Sequence, residues 1–154
     1  MSFSQRPAFS VHEGFLGLAT LAWPTADEKA ATPFAIAGIP YDGAVSNRPG
    51  AREGPQAIRK ASRMLCDALH PYFACTPLGL MSDYGNLQFP LADILNVRAA
   101  LEPQITYLLA RHHMVWLGGD HSISLPILRQ LYKQYHGPIA LLHLDAHCDT
   151  WTDH

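Results

Sequence analysis

Cysteine, charge and long apolar runs are all scarce in this 154-residue chain. Cysteine occurs three times, at Cys66, Cys75 and Cys148. An odd count with no CxxC spacing argues against a disulfide framework and fits a reducing cytosol, so a cytoplasmic setting is expected. Charged residues make up only 16% of the chain, and the formal net charge at pH 7 is −2. Without a long basic run, nucleic acid is not an expected partner. No apolar run approaches the ~20 residues of a membrane span, so no membrane partner is expected either. Gly14 to Trp23 is apolar but short, and it follows His12 and Glu13 rather than a basic segment. It reads as an arm that packs on the domain or on a neighbouring subunit, not as a secretory signal. Internal repeats and low-complexity stretches are absent too.

What is present is a globular composition. Hydrophobic residues make up 48%, and the length allows one domain with its own core. Residues 1–32 read as the irregular arm, and residues 33–154 as the domain. Phe34 to Ile39 is a first buried strand, bounded by Pro33 and Pro40. Tyr41 to Glu53 is rich in Gly, Asn, Pro and Asp and reads as a loop. A helix is predicted from Gly54-Pro55 to about Cys66, with Ile58, Ala61, Met64 and Leu65 on its apolar face. Thr76 to Met81 reads as a second strand, followed by a polar turn at 82–86. From Ala92 to Arg111 the spacing is helical, either kinked at Pro103 or restarted there. His112 and His113 close that helix and can interact with its C-terminal dipole. Met114 to Leu117 is a third strand, Ser124 to Tyr135 a further helix, and Ile139 to Leu144 a fourth strand. Four alternations of strand and helix predict an α/β fold with a parallel sheet covered on both faces.

Two clusters follow the last two strands: Gly118-Gly119-Asp120-His121-Ser122 and Asp145-Ala146-His147-Cys148-Asp149. Open α/β sheets place their sites beyond such strand ends. If the chain is extended after Leu144, a spacing of two sends Asp145, His147 and Asp149 to one side. Ala146 and Cys148 then point the other way, into packing. His121 can join from the neighbouring strand end, with Gly118-Gly119 allowing a sharp turn. Mixed oxygen and nitrogen donors suit a divalent ion such as Mn²⁺, Fe²⁺, Ni²⁺ or Zn²⁺. One carboxylate can bridge two ions, and a hydroxide shared between them is a strong nucleophile. Asp120 reads as a residue that positions the site rather than a ligand, and His143, inside the strand, as a hydrogen-bonded core imidazole.

The chain resembles the ureohydrolases, the family of arginase and agmatinase, and looks closest to the agmatinase branch. Gly38 to Asp42, Ser46 to Arg52 and Gly54 to Arg59 are similar to that branch, and GGDHS and DAHxD are similar to the family's first two metal signatures. The resemblance covers roughly residues 14–154. It implies a three-layer α/β/α sandwich and a hydrolase with two Mn²⁺ ions that splits a small guanidino substrate into urea and an amine, agmatine giving putrescine. It implies His121 and Asp149 on one ion, His147 on the other, Asp145 bridging them, and a bridging hydroxide as nucleophile. Homo-oligomers are common in the family and are expected here.

The family's third metal signature, its proton-shuttle histidine and its guanidinium-binding carboxylate have no counterpart before His154. The C-terminal part of the sandwich is therefore expected to be missing, with an open apolar sheet edge. The chain alone is expected to have little ureohydrolase activity. Three readings follow: part of an agmatinase-type enzyme, a non-catalytic remnant that binds metal or a partner subunit, or a site completed by a second polypeptide. A guanidino-acid hydrolase such as guanidinobutyrase is the alternative to agmatinase; Arg48 reads first as a loop arginine that holds a neighbouring turn or subunit, and second as a residue that faces a substrate carboxylate.

Overall fold

The computed structural model describes residues 14–23, 32–65, 68–90 and 92–149. Its regular elements are β1 (Phe34–Ile39), α1 (Gly54–Ser62), β2 (Met81–Asn86), α2 (Ile94–Leu109), β3 (His113–Gly118) and α3 (Ser124–Tyr135). The three strands form one parallel sheet in the order β2-β1-β3. β1 is central because its apolar run can be buried on both faces, and every residue from Ala35 to Ile39 is buried.

The two faces of β1 meet different helices. Ala35, Ala37 and Ile39 join a core with Val97, Leu101, Ile105 and Leu108 of α2 and Ile127 of α3. Gly38 faces the other way, where an added Cβ would lie 2.9 Å from Cβ of Pro55 and 3.2 Å from Nη1 of Arg59. Thus α1 covers one face, and α2 and α3 the other. The topology explains this. The chain steps from β1 to β2 in one direction and from β2 back past β1 to β3 in the other. Right-handed crossovers in opposite directions place their helices on opposite faces. The expected three-layer α/β/α arrangement is what the described residues form.

Several boundaries differ from expectation. α1 ends at Ser62, and Cys66 lies outside the described residues. Its buried stripe is Pro55, Arg59 and Ser62, whereas Ile58, Ala61, Met64 and Leu65 are exposed. The reason is polar: Arg59 is drawn inward by Asp83. Its Nε and Nη2 donate to the two Asp83 carboxylate oxygens at 2.8 and 2.9 Å. Nη1 donates to Asn86 Oδ1, and Nη2 also to the carbonyl of Gly85.

The second strand, Met81–Asn86, takes in the whole segment read as a polar turn, 82–86, and the turn precedes it, within the segment read as a strand. Leu80 N donates to Pro77 O there, and Gly79 has φ of +81°. α2 is one helix that runs through Pro103. Ala99, whose carbonyl loses its partner at the proline, is exposed. Asp93 caps α2 by accepting from the amides of Leu95 and Asn96. The His112 amide does close the end of α2, donating to Leu108 O at 3.0 Å, but its side chain is buried and bonded to Tyr84 Oη at 3.0 Å and Thr32 O at 2.8 Å, and His113 begins β3 instead.

Ile139 to Leu144 forms no strand among the described residues. Leu141, Leu142 and Leu144 are exposed. Apolarity alone does not make a strand, and no strand of the described sheet pairs with this segment.

The described part of the arm, Gly14 to Trp23, packs on the domain itself. Phe15 N donates to Asp83 Oδ2, Leu16 N to Ser62 Oγ and Leu21 N to Asp83 O, all at 2.8 Å. Trp23 lies against the rings of Tyr84 and Tyr107. No helix among the described residues is long and apolar enough to cross a membrane.

Candidate metal centre

β1 and β3 run side by side and end together, with Ile39 opposite Gly118. The loops that follow them are stitched to each other. Gly119 N donates to Ile39 O at 3.2 Å, and Asp120 N to Tyr41 O at 2.7 Å. A Cβ on Gly119 would lie 2.1 Å from Tyr41 O and 2.6 Å from Ile39 O, so only glycine fits this approach.

Asp120 is buried and its carboxylate is occupied. Oδ1 accepts from Ser122 N at 2.9 Å and Ser122 Oγ at 2.5 Å, and Oδ2 accepts from Ala44 N at 2.9 Å. It caps the short turn His121–Ile123 that leads into α3. Asp120 thus fixes the backbone that carries His121 and joins it to the loop after β1.

That loop has its own anchor. Asp42 is buried and accepts from Gly50 N at 2.7 Å and from Arg52 Nε at 2.6 Å. The Arg52 guanidinium, and then the Gly50 amide, hold its carboxyl down to about 2, against an ordinary 3.8. A depressed folded-state pKa contributes stability above the unfolded value, and the contribution is lost as pH falls through the folded one. The thermal midpoint should therefore fall between pH 4 and pH 2. Asp42→Asn should start lower at neutral pH and flatten that limb in a calorimetric pH series. An unchanged acid limb in the variant would refute the assignment.

Beyond β3, four side chains converge: His121, His143, Asp145 and Asp149. One donor atom from each lies within 4.8 Å of all the others. His121 Nδ1 is 2.5 Å from Asp149 Oδ2 and 3.7 Å from Asp145 Oδ2. His143 Nε2 is 3.5 Å from Asp145 Oδ2 and 3.9 Å from Asp149 Oδ2. The His121 and His143 rings are 5.3 Å apart. The cluster sits at a solvent-accessible rim.

Three of the four residues named from the sequence, His121, Asp145 and Asp149, are together. The fourth, His147, lies to one side: its side chain is 83% exposed, and its Nδ1 is 3.4 Å from Asp145 Oδ1. The expected alternation fails because the chain is not extended there. His147 N donates to Asp145 Oδ1 at 2.8 Å, closing a small turn, and Asp149 has φ of +51°. Ala146 and Cys148 are exposed rather than packed. His143, expected in the core, instead joins the cluster. Its signal was in the sequence: it stands two residues before Asp145 in the stretch without a turn.

The His147 amide, above all, holds the Asp145 carboxyl below its ordinary range. Burial opposes this, and the nearby His143, His121 and His147 side chains assist it. Asp145 is thus an anion throughout the neutral range.

The donor set fits a divalent ion. Ligands about 2.1 Å from an ion lie about 3 Å apart as neighbours and about 4.2 Å apart across it. The contacts of 2.5–3.9 Å within the cluster lie around the neighbour spacing, and all four donors fall within 4.8 Å of one another, close to the spacing across an ion. Two imidazoles with two carboxylates are chemistry for a Mn- or Zn-type ion rather than calcium.

A parallel α/β sheet wound in both directions, with ionisable side chains gathered beyond its strand ends, defines the class of protein in which chemistry is done at that rim. The sequence gives the family. Residues 32–154 match the model of the Arginase family, and the chain belongs to that family of ureohydrolases. It is 42% identical over 123 residues to agmatinase of Chromobacterium violaceum, covering 77% of this chain and 38% of that protein. It is 38% identical over 119 residues to a human mitochondrial guanidino acid hydrolase, covering 75% of this chain and 33% of that one. Its fold matches the crystal structure of a hypothetical agmatinase from Burkholderia thailandensis with a TM-score of 0.80 and 34% identity, covering 92% of this chain and 44% of that one. The chain therefore spans between a third and two-fifths of the length of these curated relatives.

Proposed function

We propose that this chain carries part of the active site of an agmatinase-type enzyme, which hydrolyses agmatine to urea and putrescine with two Mn²⁺ ions. The observation that carries the proposal is the convergence of His121, Asp145 and Asp149 beyond the ends of parallel strands in an arginase-family sequence. His121 and Asp149 would hold one ion and His147 the other, with Asp145 bridging. The two oxygens of Asp145 support that division: Oδ2 faces His121, and Oδ1 faces His147. When bound, such ions make hydroxide available as a nucleophile at neutral pH. The protein's own contribution is placement. Asp120 fixes the turn that presents His121, and Gly119 lets the two loops meet. The His147 amide donates to Asp145 Oδ1 and fixes the orientation of that carboxylate. A homo-oligomer in the cytoplasm belongs to the same proposal, supported by family resemblance and by a cysteine pattern without pairing signals.

A fusion tests it. With residues 32–154 replacing the matching segment of the C. violaceum agmatinase, urea should be released from agmatine in the presence of Mn²⁺. Asp145→Ala in the fusion should lower the rate by about a hundredfold or more. A folded fusion that releases no urea would overturn the proposal. A second substrate reading has one observation in its favour: Arg48 is exposed on the loop after β1, on the rim that also carries His121. If the substrate is a guanidino acid, 4-guanidinobutyrate will outpace agmatine in the same assay.

A further inference from the structure

We infer that this chain by itself holds one divalent ion of the manganese type, with His143 as a ligand beside His121, Asp145 and Asp149. The inference rests on the metal reading above but assigns a donor set in which His143 stands and His147 does not.

Three observations support it. The first is distance. His143 Nε2 approaches the same oxygens, Asp145 Oδ2 and Asp149 Oδ2, that His121 Nδ1 approaches. His147 approaches Asp145 from the opposite oxygen and is not among the four converging residues. The second is backbone. His143 and Asp145 are two apart in a stretch without a turn, so their side chains share a side. The turn closed by His147 N, together with the left-handed Asp149, folds the chain back so that Asp149 rejoins that side while His147 is left outside. The third is donor chemistry. Two carboxylates match the charge of a divalent ion, and two imidazole nitrogens complete a four-donor set from this chain's described residues alone.

The proposal separates two roles that sequence spacing merges. His121, His143, Asp145 and Asp149 make a self-sufficient pocket for one ion. His147 stands on the far side of Asp145, where a second ion would need further ligands.

The test is a Mn²⁺ titration of the purified 154-residue chain, followed by the electron paramagnetic resonance signal of the free ion. The wild-type chain should remove about one equivalent. His143→Ala should weaken binding about tenfold or more, and His147→Ala less than about twofold. Circular dichroism of each variant checks folding. Pulsed resonance on the wild type and on His147→Ala, which counts bound imidazole nitrogens, serves if His143→Ala does not fold. Both should show two imidazoles. Unchanged affinity in His143→Ala, or a single bound imidazole in the wild type or in His147→Ala, overturns the role of His143. If Asp145→Ala still abolishes binding, that result leaves the metal reading intact. A wild-type chain that captures no Mn²⁺, or an Asp145→Ala variant that binds as well as wild type, overturns both.

Discussion

Arg59→Ala should destabilise the domain by about 3–5 kcal/mol, the usual cost of removing one partner from a buried ion pair. Arg59 and Asp83 are almost wholly inaccessible, at 5% and 0% side-chain exposure. Without the guanidinium, the Asp83 carboxylate keeps, among the described residues, the amides of Phe15 and Gly85 as donors, in a site closed to water. Asn86 Oδ1 and the Gly85 carbonyl lose a donor at the same time. Total stabilities of about 5–15 kcal/mol leave little margin for such a loss. Urea denaturation of the wild type and the variant measures it directly. The double variant Arg59→Met with Asp83→Leu should recover part of the loss, because an apolar pair of similar volume leaves no charge stranded. A single variant within about 1 kcal/mol of wild type would show that the pair is not structural.

Gly119→Ala should have the second large effect, on stability and on metal affinity together. An alanine Cβ at this position meets backbone atoms of Ile39 and Tyr41, which cannot rotate away as a side chain can. Overpacking of this kind costs about 1–3 kcal/mol or more. The added methyl pushes apart the loops after β1 and β3, which the Asp120 amide and carboxylate otherwise hold together. His121 is the next residue but one, so Mn²⁺ affinity should fall about tenfold or more. Gly137→Ala is the control: the nearest atom to its Cβ is 3.9 Å away, and a change of less than about 0.5 kcal/mol is expected. If the two alanine variants melt alike, the close approach of the loops does not matter.

The sequence announced some elements and hid others. β1 and α3 were legible because their signals are local: an apolar run between prolines, and a helical pattern closed by Gly137-Pro138. β2 was not. Ser82, Asp83, Gly85 and Asn86 are turn residues by composition, and only the arrival of Arg59 from α1 makes them strand material. The same interaction turned α1, so the stripe chosen by hydrophobicity is the exposed one. Ile139 to Leu144 failed in the opposite way: its composition suits a strand, but pairing depends on a neighbour that no composition reports. At the site, the residue types and the end of β3 were legible, while the turn that takes His147 out of the cluster was not. Alternation holds only while the backbone stays extended, and a single side-chain-to-backbone bond from Asp145 ends it. The exchange of His147 for His143 follows from that bond.

The central position of β1 also sets the order in which the chain can assemble. Phe34 pairs with Met81 on one side and with His113 on the other, so the first strand made must wait for the third. The α1 and β2 stage can close early, clamped by Arg59 on Asp83. Until α2 and β3 arrive, Ala35, Ala37 and Ile39 present an uncovered apolar face and an unpaired edge. Long-range parallel pairing is slow to form and open to aggregation while it waits. During synthesis, the interval between the emergence of Asn86 and that of Gly118 is when the nascent chain has most need of a chaperone.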